Sequence, residues 1–179
     1  MNFAETDRLV IRRFRPEDAP AFAAYRSDPD VARYQSWTPP LSLKDALDLV
    51  REFAVGDPSA AGWFQYAIAL REAEHILIGD IGVALHENKM QAEIGFSLRP
   101  RFQGLGYATE AVQATVAYLF AELKLRRVSA ECDARNTASA KLLRRVGFRE
   151  EGLRRQHTWA KGEWTDDLLF GLLADELQA

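Results

Sequence analysis

Apolar positions along the chain change spacing several times, and each spacing predicts a different element. Leu9-Val10-Ile11-Arg12-Arg13-Phe14 is β-branched and apolar enough for a first strand. Pro16-Glu17-Asp18 opens a helix with Phe22 and Tyr25 on its apolar side, and Asp28-Pro29-Asp30 caps a short second helix reaching Tyr34. Trp37-Thr38-Pro39-Pro40 must be a loop, because two prolines cannot continue a helix. Ser42 is then the N-cap of a helix whose apolar positions Ala46, Leu47, Val50, Phe53 and Ala54 fall at helical spacing. Beyond Gly56-Asp57-Pro58-Ser59 the period shortens. Residues 63–70, 75–85 and 91–98 read as three strands with short polar connections, hence an antiparallel meander.

After Pro100 a glycine-containing loop leads into a long helix with Ala108, Ala111, Val112, Thr115, Val116, Leu119, Phe120 and Leu123 on one face. Residues 127–132 form the next strand, which should lie parallel to 91–98 in a right-handed crossover. A helix from Thr137 to Val146 ends at Gly147 in the C′ role. Residues 150–160 and 164–172 form two last strands, turned at Lys161-Gly162-Glu163. With no repeat, low-complexity tract or linker, residues 1–179 are expected to form one mixed α/β domain.

Composition narrows the class. Hydrophobic residues make up 47% and charged residues 27% of 179, the mix of a globular chain with a core. Cys132 stands alone and His75, His86 and His157 are scattered, so neither a disulfide nor a structural metal is expected. No apolar run is long enough for a membrane helix. The segment Met1-Asn2-Phe3-Ala4-Glu5-Thr6-Asp7-Arg8 lacks a signal-peptide core, which predicts a cytoplasmic protein. The net charge of −3 argues against a nucleic-acid partner. It is uneven: residues 1–88 carry 9 Lys/Arg and 14 Asp/Glu, and residues 89–179 carry 14 and 12. That split suits an anionic ligand in the C-terminal half and a cationic one nearer the N-terminal half; a solvated surface gives the same split by chance.

The chemistry concentrates at Arg101-Phe102-Gln103-Gly104-Leu105-Gly106-Tyr107-Ala108-Thr109-Glu110, which joins a strand to a helix N-terminus. Glycines allow close backbone approach, and the first helical turn offers unpaired N–H groups at a positive dipole end. Together these make a phosphate site. A P-loop is excluded, because Gly106 is followed by Tyr107-Ala108 and not by Lys-Ser/Thr. A Rossmann turn fits poorly: Thr109 stands at its third glycine position, and a meander precedes it.

The same loop resembles the acetyl-coenzyme A signature Gln/Arg-x-x-Gly-x-Gly/Ala of the GNAT superfamily of N-acetyltransferases. Arg101-x-x-Gly104-x-Gly106 and Gln103-x-x-Gly106-x-Ala108 both match. The second register is preferred, because Gly106-Tyr107-Ala108-Thr109-Glu110-Ala111 resembles the helix start of the Rim-type branch, which includes ribosomal-protein N-terminal-alanine acetyltransferases. Thr6-Asp7-Arg8-Leu9-Val10-Ile11-Arg12, Ala92-Glu93-Ile94-Gly95-Phe96, Asn136-Thr137-Ala138-Ser139, Gly147-Phe148 and Gly162-Glu163-Trp164-Thr165-Asp166 extend the likeness over nearly the whole chain, in order. The resemblance implies a GNAT-like fold in which strands 91–98 and 127–132 splay and the thioester enters the gap. It implies acetyl-coenzyme A as donor, with pyrophosphate on the backbone from Gln103, Gly104 and Leu105 to Gly106, Tyr107, Ala108 and Thr109. Pantetheine would pair with Phe96, Ser97 and Leu98. Arg126, Arg127, Arg135, Lys141, Arg144 and Arg145 are candidates for the coenzyme's 3′-phosphate.

The acceptor is expected to be a small-molecule amine or a protein N-terminus, used by a monomer or homodimer. Asn136 is read as the cap of its helix and as a coenzyme contact. Many superfamily members carry a Tyr seven residues later as proton donor to the departing thiolate; here Leu143 stands there. The resemblance to Rim-type members gives that part to Ser139, as a hydrogen bond to the thiolate, with capping as its other reading. Glu93 is the first candidate base, with a structural ion pair as its other reading; His157 and Asp166 follow, and Thr158 stands where some Rim-type members carry a carboxylate. Neutralising a lysine amine at pH 7.4 costs ~4 kcal/mol, and an α-amine less than ~1 kcal/mol, so an α-amine needs only a weak base. Cys132 is read as buried, and Trp37 as either cleft wall or core. The alternatives are a coenzyme A-binding sensor without catalysis and a nucleotide-binding α/β protein.

Overall fold

In the computed structural model, which describes residues 2–177, eight strands form one sheet in the order β1-β2-β3-β4-β5-β6-β8-β7. The strands are β1 (Ala4–Glu5), β2 (Leu9–Arg12), β3 (Gly62–Leu70), β4 (Ala73–Leu85), β5 (Gln91–Leu98), β6 (Arg127–Asp133), β7 (Arg149–Ala160) and β8 (Glu163–Leu173). The helices are α1 (Ala19–Arg26), α2 (Pro29–Ala32), α3 (Leu43–Val55), α4 (Tyr107–Ala121) and α5 (Thr137–Val146). Met1, the first residue of the N-terminal segment read above, lies outside the described residues, as do the last two residues of the expected 1–179 domain.

Short turns keep β3, β4 and β5 antiparallel, the expected meander. The crossover through α4 makes β5 and β6 parallel, and every other pair is antiparallel. Local chemistry sets the helix ends. Ser42 Oγ accepts the Asp45 N–H at 3.0 Å, and Gly147 closes α5 at φ +111°. Several boundaries differ from the sequence reading: β1 is an additional strand, β4 starts two residues early, and α4 ends at Ala121, before Leu123. The first strand ends at Arg12, two residues early, because Arg12 turns inward to pair with Asp18. Pro16–Asp18 form a separate 3₁₀ turn before α1. The second helix stops at Ala32, short of Tyr34.

Alternation along β5 sends Ala92, Ile94 and Leu98 into the main core, where they meet Ala111, Val112 and Val116 of α4 and Ala140 and Leu143 of α5. The opposite sheet face is covered over β2–β4 by a second cluster built on Phe14, Phe22, Tyr25, Ala46 and Val50. Two buried polar groups tie that layer down. Arg12 makes a bidentate pair with Asp18 at 2.8 and 2.9 Å. Asp80 accepts from the Tyr25 hydroxyl and, at 3.0 Å each, from Arg26 and Gln65.

Candidate active site

Strands β5 and β6 pair only from Gln91–Arg127 to Ile94–Ala130, yet β5 runs on to Leu98 and β6 to Asp133. The sheet therefore opens at its middle. Which groups face the opening follows from the ladder. The Arg99 N–H donates to the Ile78 carbonyl at 2.8 Å, and antiparallel pairs alternate, so Gly95 and Ser97 turn their main chain toward β4. Phe96 and Leu98 turn theirs into the gap. Two side-chain amides occupy the carbonyls there. Gln35 Nε2 donates to Phe96 O at 3.3 Å, and Gln103 Nε2 donates to Leu98 O at 2.9 Å.

A cavity of about 560 Å³ runs beside this opening. Its wall includes ten of the twelve residues expected on the coenzyme's pantetheine and pyrophosphate or at the start of α5: Phe96, Ser97, Leu98, Gln103, Gly104, Gly106, Ala108, Thr109, Asn136 and Ser139. Leu105 and Tyr107 are not on that wall. Leu105 points its side chain to solvent, and the Tyr107 ring lies under the Arg8 guanidinium, 4.4 Å from its carbon. Glu93 is absent from the wall as well, because it projects from the other sheet face.

The loop is held in a form only glycine adopts easily. Gly104 has φ +74° and Gly106 φ +84°, both left-handed. Gly106 is also the N-cap of α4 and has no side chain to satisfy the first turn, whose earliest helical bond is Glu110 N–H to Gly106 O at 3.0 Å. The preceding N–H groups are therefore free donors at the positive end of a 15-residue helix. A clamp from the N-terminal segment fixes this arrangement. Thr6 Oγ1 and Arg8 Nε donate to the Glu110 carboxylate, and Arg8 Nη1 donates to Leu105 O at 3.1 Å. Burial alone would raise the Glu110 carboxyl; hydrogen bonds from Thr6 and Arg8 outweigh that and hold it below the ordinary carboxylate range. The sequence reading noted Thr6-Asp7-Arg8 only as part of a likeness. A pairing between residues about a hundred positions apart leaves no local signature.

Across the cavity, Asn136 Oδ1 accepts the Ser139 N–H at 3.2 Å, so the cap is present, with Ser139 at the third helical position. Leu143 is 1% exposed in the core, and no phenol stands on that face of α5. Of the basic candidates, Lys141 and Arg145 line the cavity. Arg127, Arg135 and Arg144 are paired with Glu151, Asp133 and Glu150, respectively.

The other sheet face carries Glu93, and the last two strands carry the remaining proton-handling candidates. Glu93 is half-buried between Ala84 of β4 and Ser129 of β6. Burial, then the nearby Glu131 charge, raises its carboxyl above the ordinary value, against smaller pulls from His86 and Arg154. His157 Nδ1 lies 2.9 Å from Asp167 Oδ2, which also accepts from Thr158 Oγ1 at 2.7 Å. Asp166 accepts the Gln156 N–H at 2.7 Å and is thereby engaged in the strand bulge. Cys132 is half-buried; desolvation and the adjacent Asp133 push its thiol up to about 11, which makes it a poor nucleophile at neutral pH. Trp37 is a brace for α1, not a cleft wall: its ring lies 3.6 Å from the Arg26 guanidinium, and Nε1 donates to Arg26 O at 3.0 Å. Among the described residues no three His, Cys, Asp or Glu side chains converge as a metal site.

Comparison with known proteins agrees with this geometry. The acetyltransferase (GNAT) domain model matches residues 8–149. The chain is 36% identical over 173 residues to the uncharacterized N-acetyltransferase p20 of Bacillus licheniformis, covering 96% of each chain. It is 27% identical to the ribosomal protein uS5-alanine N-acetyltransferase of Escherichia coli, covering 93% of this chain and 88% of that one. The crystal structure of a GNAT-family acetyltransferase from Bacillus anthracis superposes with a TM-score of 0.86 at 31% identity, over 97% of this chain and 99% of the other. An open parallel pair beside an uncapped glycine-led helix, on a chain so matched, defines an acyltransferase that uses a coenzyme A thioester. The chain belongs to the GNAT family and is an acetyl-coenzyme A-dependent N-acetyltransferase.

Proposed function

We propose that the cavity between β5, the Gly104–Gly106 loop and α5 seats acetyl-coenzyme A, and that an amine attacks the thioester directly within a ternary complex. The observation that carries this reading is the early end of β5–β6 pairing beside free helix N–H groups. The pyrophosphate accepts from the main chain between Gly104 and Thr109. Lys141 and Arg145 are the cations placed to meet the 3′-phosphate. The pantetheine amides replace the Gln35 and Gln103 side chains on the Phe96 and Leu98 carbonyls, exchanging one hydrogen bond for another. The thioester carbonyl then lies in the gap, where a main-chain N–H of Phe96 or Leu98 takes the developing oxyanion charge.

The amine nitrogen forms its bond to the carbonyl carbon from the face that bears Glu93. Glu93 accepts the amine proton, directly or through water, and its raised basicity suits that task. The carbon–sulfur bond breaks, and Ser139 Oγ donates a hydrogen bond to the leaving thiolate. A serine hydroxyl is too weak an acid to protonate the thiolate fully, so coenzyme A leaves as the thiolate or takes its proton from solvent. No covalent enzyme intermediate is needed, in keeping with the inert Cys132. The acceptor is a primary amine, small or at a protein N-terminus.

The test is steady-state kinetics with both substrates varied and a confirmed acceptor. Intersecting double-reciprocal lines are expected. Parallel lines, the mark of an acetyl-enzyme, would refute direct attack. Calorimetric binding of acetyl-coenzyme A without turnover of any amine would favour the sensor reading.

A further inference from the structure

The sheet face opposite the coenzyme cavity carries an indole laid over a strip without side chains. Trp63 of β3 pairs with Ala84 of β4, and Ala84 with Glu93 of β5, so these three share one face. The next row of that face is Gln65, Gly82 and Gly95. A Cβ at Gly82 would stand 3.0 and 3.1 Å from Trp63 Cε3 and Cζ3, and one at Gly95 would stand 3.9 Å from Cη2. The benzo ring thus lies on the Gly82 main chain, and its tip reaches Gly95, the residue just beyond the last β5–β6 pair. Glycine inside a strand often marks close approach of another group, and at Gly82 those groups are the Gln65 amide, 2.5 Å from the Cβ position, and the indole beside it.

The ring uses one face on the sheet, yet Trp63 remains 59% exposed. Beside it, the half-buried Glu93 carboxylate has no hydrogen-bond partner among the described residues. Arg154, the nearest guanidinium, is occupied by Glu131. An open aromatic face next to an unpaired carboxylate matches an organic cation. Both edges of β4 are paired with β3 and β5 along this stretch, so the floor offers no free main-chain donor or acceptor for a peptide.

We propose that Trp63 is the acceptor platform, and that the acceptor is a small primary amine with an apolar alkyl or arylalkyl body and no carboxylate. The proposal rests on the acetyl-transfer reading above and adds the substrate class. The body lies on the indole, the ammonium faces Glu93, and the nitrogen points past Gly95 toward the gap. An acidic group on the acceptor would meet the unpaired Glu93 carboxylate. Trp63 acts as a specificity residue: it fixes where the amine rests and takes no proton.

The experiment measures thiol release by the full chain with acetyl-coenzyme A and four probes: 2-phenylethylamine, 3-methylbutylamine, L-phenylalanine and an alanine-initiated hexapeptide. The two carboxylate-free amines should exceed L-phenylalanine and the peptide in kcat/KM by tenfold or more. Trp63→Ala should raise KM for the better amine by about tenfold, between the scales of an exposed and a desolvated cation–π contact, with Trp63→Phe between the two. Calorimetric affinity for acetyl-coenzyme A should stay as in the wild type, which also shows that the variant is folded. Unchanged amine KM in Trp63→Ala, preference for the peptide or L-phenylalanine, or coenzyme binding without turnover of either amine would each overturn the platform. Failure of the wild type to bind acetyl-coenzyme A would overturn the acetyl-transfer reading itself.

Discussion

Replacing Gly106 by alanine perturbs the coenzyme loop in a way the structure makes quantitative. Gly106 holds φ +84°, where an L-residue costs roughly 1–2 kcal/mol. A Cβ there would stand 3.3 Å from Arg8 Nη2. That neighbour is the end of a flexible, half-exposed side chain, so it can yield a few tenths of an ångström by loosening its pair with Glu110. A partly exposed pair is worth under ~1 kcal/mol. The ligand-free protein should therefore lose about 1–2 kcal/mol, or a few degrees of melting temperature. The methyl group heads for Arg8 and not for the phosphate seat, so binding suffers through the main chain. If the loop leaves the left-handed region, two or more N–H groups lose their aim, and each charge-assisted bond is worth about 1.5–3 kcal/mol. Affinity for acetyl-coenzyme A should fall at least ~10²-fold. Gly62, at φ +107° with no atom within 4 Å of a Cβ, provides the control. Gly62→Ala carries similar backbone strain far from the loop and should leave affinity unchanged. Calorimetry and thermal melts on both variants decide. Equal stability losses with wild-type affinity in Gly106→Ala would refute the loop as phosphate seat.

Other expectations follow from named contacts. Glu93→Gln should slow turnover by about 10²–10⁴-fold, with the deficit shrinking as pH rises toward the amine's own pKa. The same variant should be no less stable near neutral pH. The fold raises the Glu93 carboxyl, so its ionisation opposes folding above the folded pKa, and that cost vanishes as pH falls below the ordinary carboxyl value. A flat pH dependence would remove Glu93 as base. Ser139→Ala should lower kcat by up to about 10²–10³-fold with acetyl-coenzyme A affinity little changed, whereas unchanged kcat would leave Ser139 a helix residue only. Asp18→Asn should cost about 3–5 kcal/mol in urea unfolding, because it leaves the Arg12 guanidinium, 2% exposed, with the Arg13 and Glu74 carbonyls but without its counter-charge. A loss below 1 kcal/mol would show that water reaches Arg12.

Most of the fold was legible because its signals are local. The meander announces itself through alternating strands and short polar turns, and α5 through Asn136 and Gly147 at its ends. The phosphate loop was legible for the same reason, since Gly104 and Gly106 are consecutive with the helix they open. What escaped depends on contacts distant in sequence. The Arg8–Glu110 clamp joins the N-terminal segment to α4, and Gln35 reaches the Phe96 carbonyl from the turn after α2. Neither residue type has a pattern that singles it out. Trp63 was read only as part of a strand, because its meaning comes from Gly82 and Gly95 on neighbouring strands, a register that alternation along one strand cannot supply. From sequence alone Trp37 fits cleft or core equally, because its partner, the Arg26 guanidinium, is set by tertiary packing.

The account turns on where the thioester enters, and a crystal structure of the complex with acetyl-coenzyme A measures that directly. It should show the pyrophosphate against the main-chain N–H groups of Gly104 to Thr109. It should also show the pantetheine amides on Phe96 and Leu98, with the Gln35 and Gln103 side chains displaced from those two carbonyls. Coenzyme bound elsewhere, or both glutamines still seated on Phe96 and Leu98 beside a bound coenzyme, would contradict it.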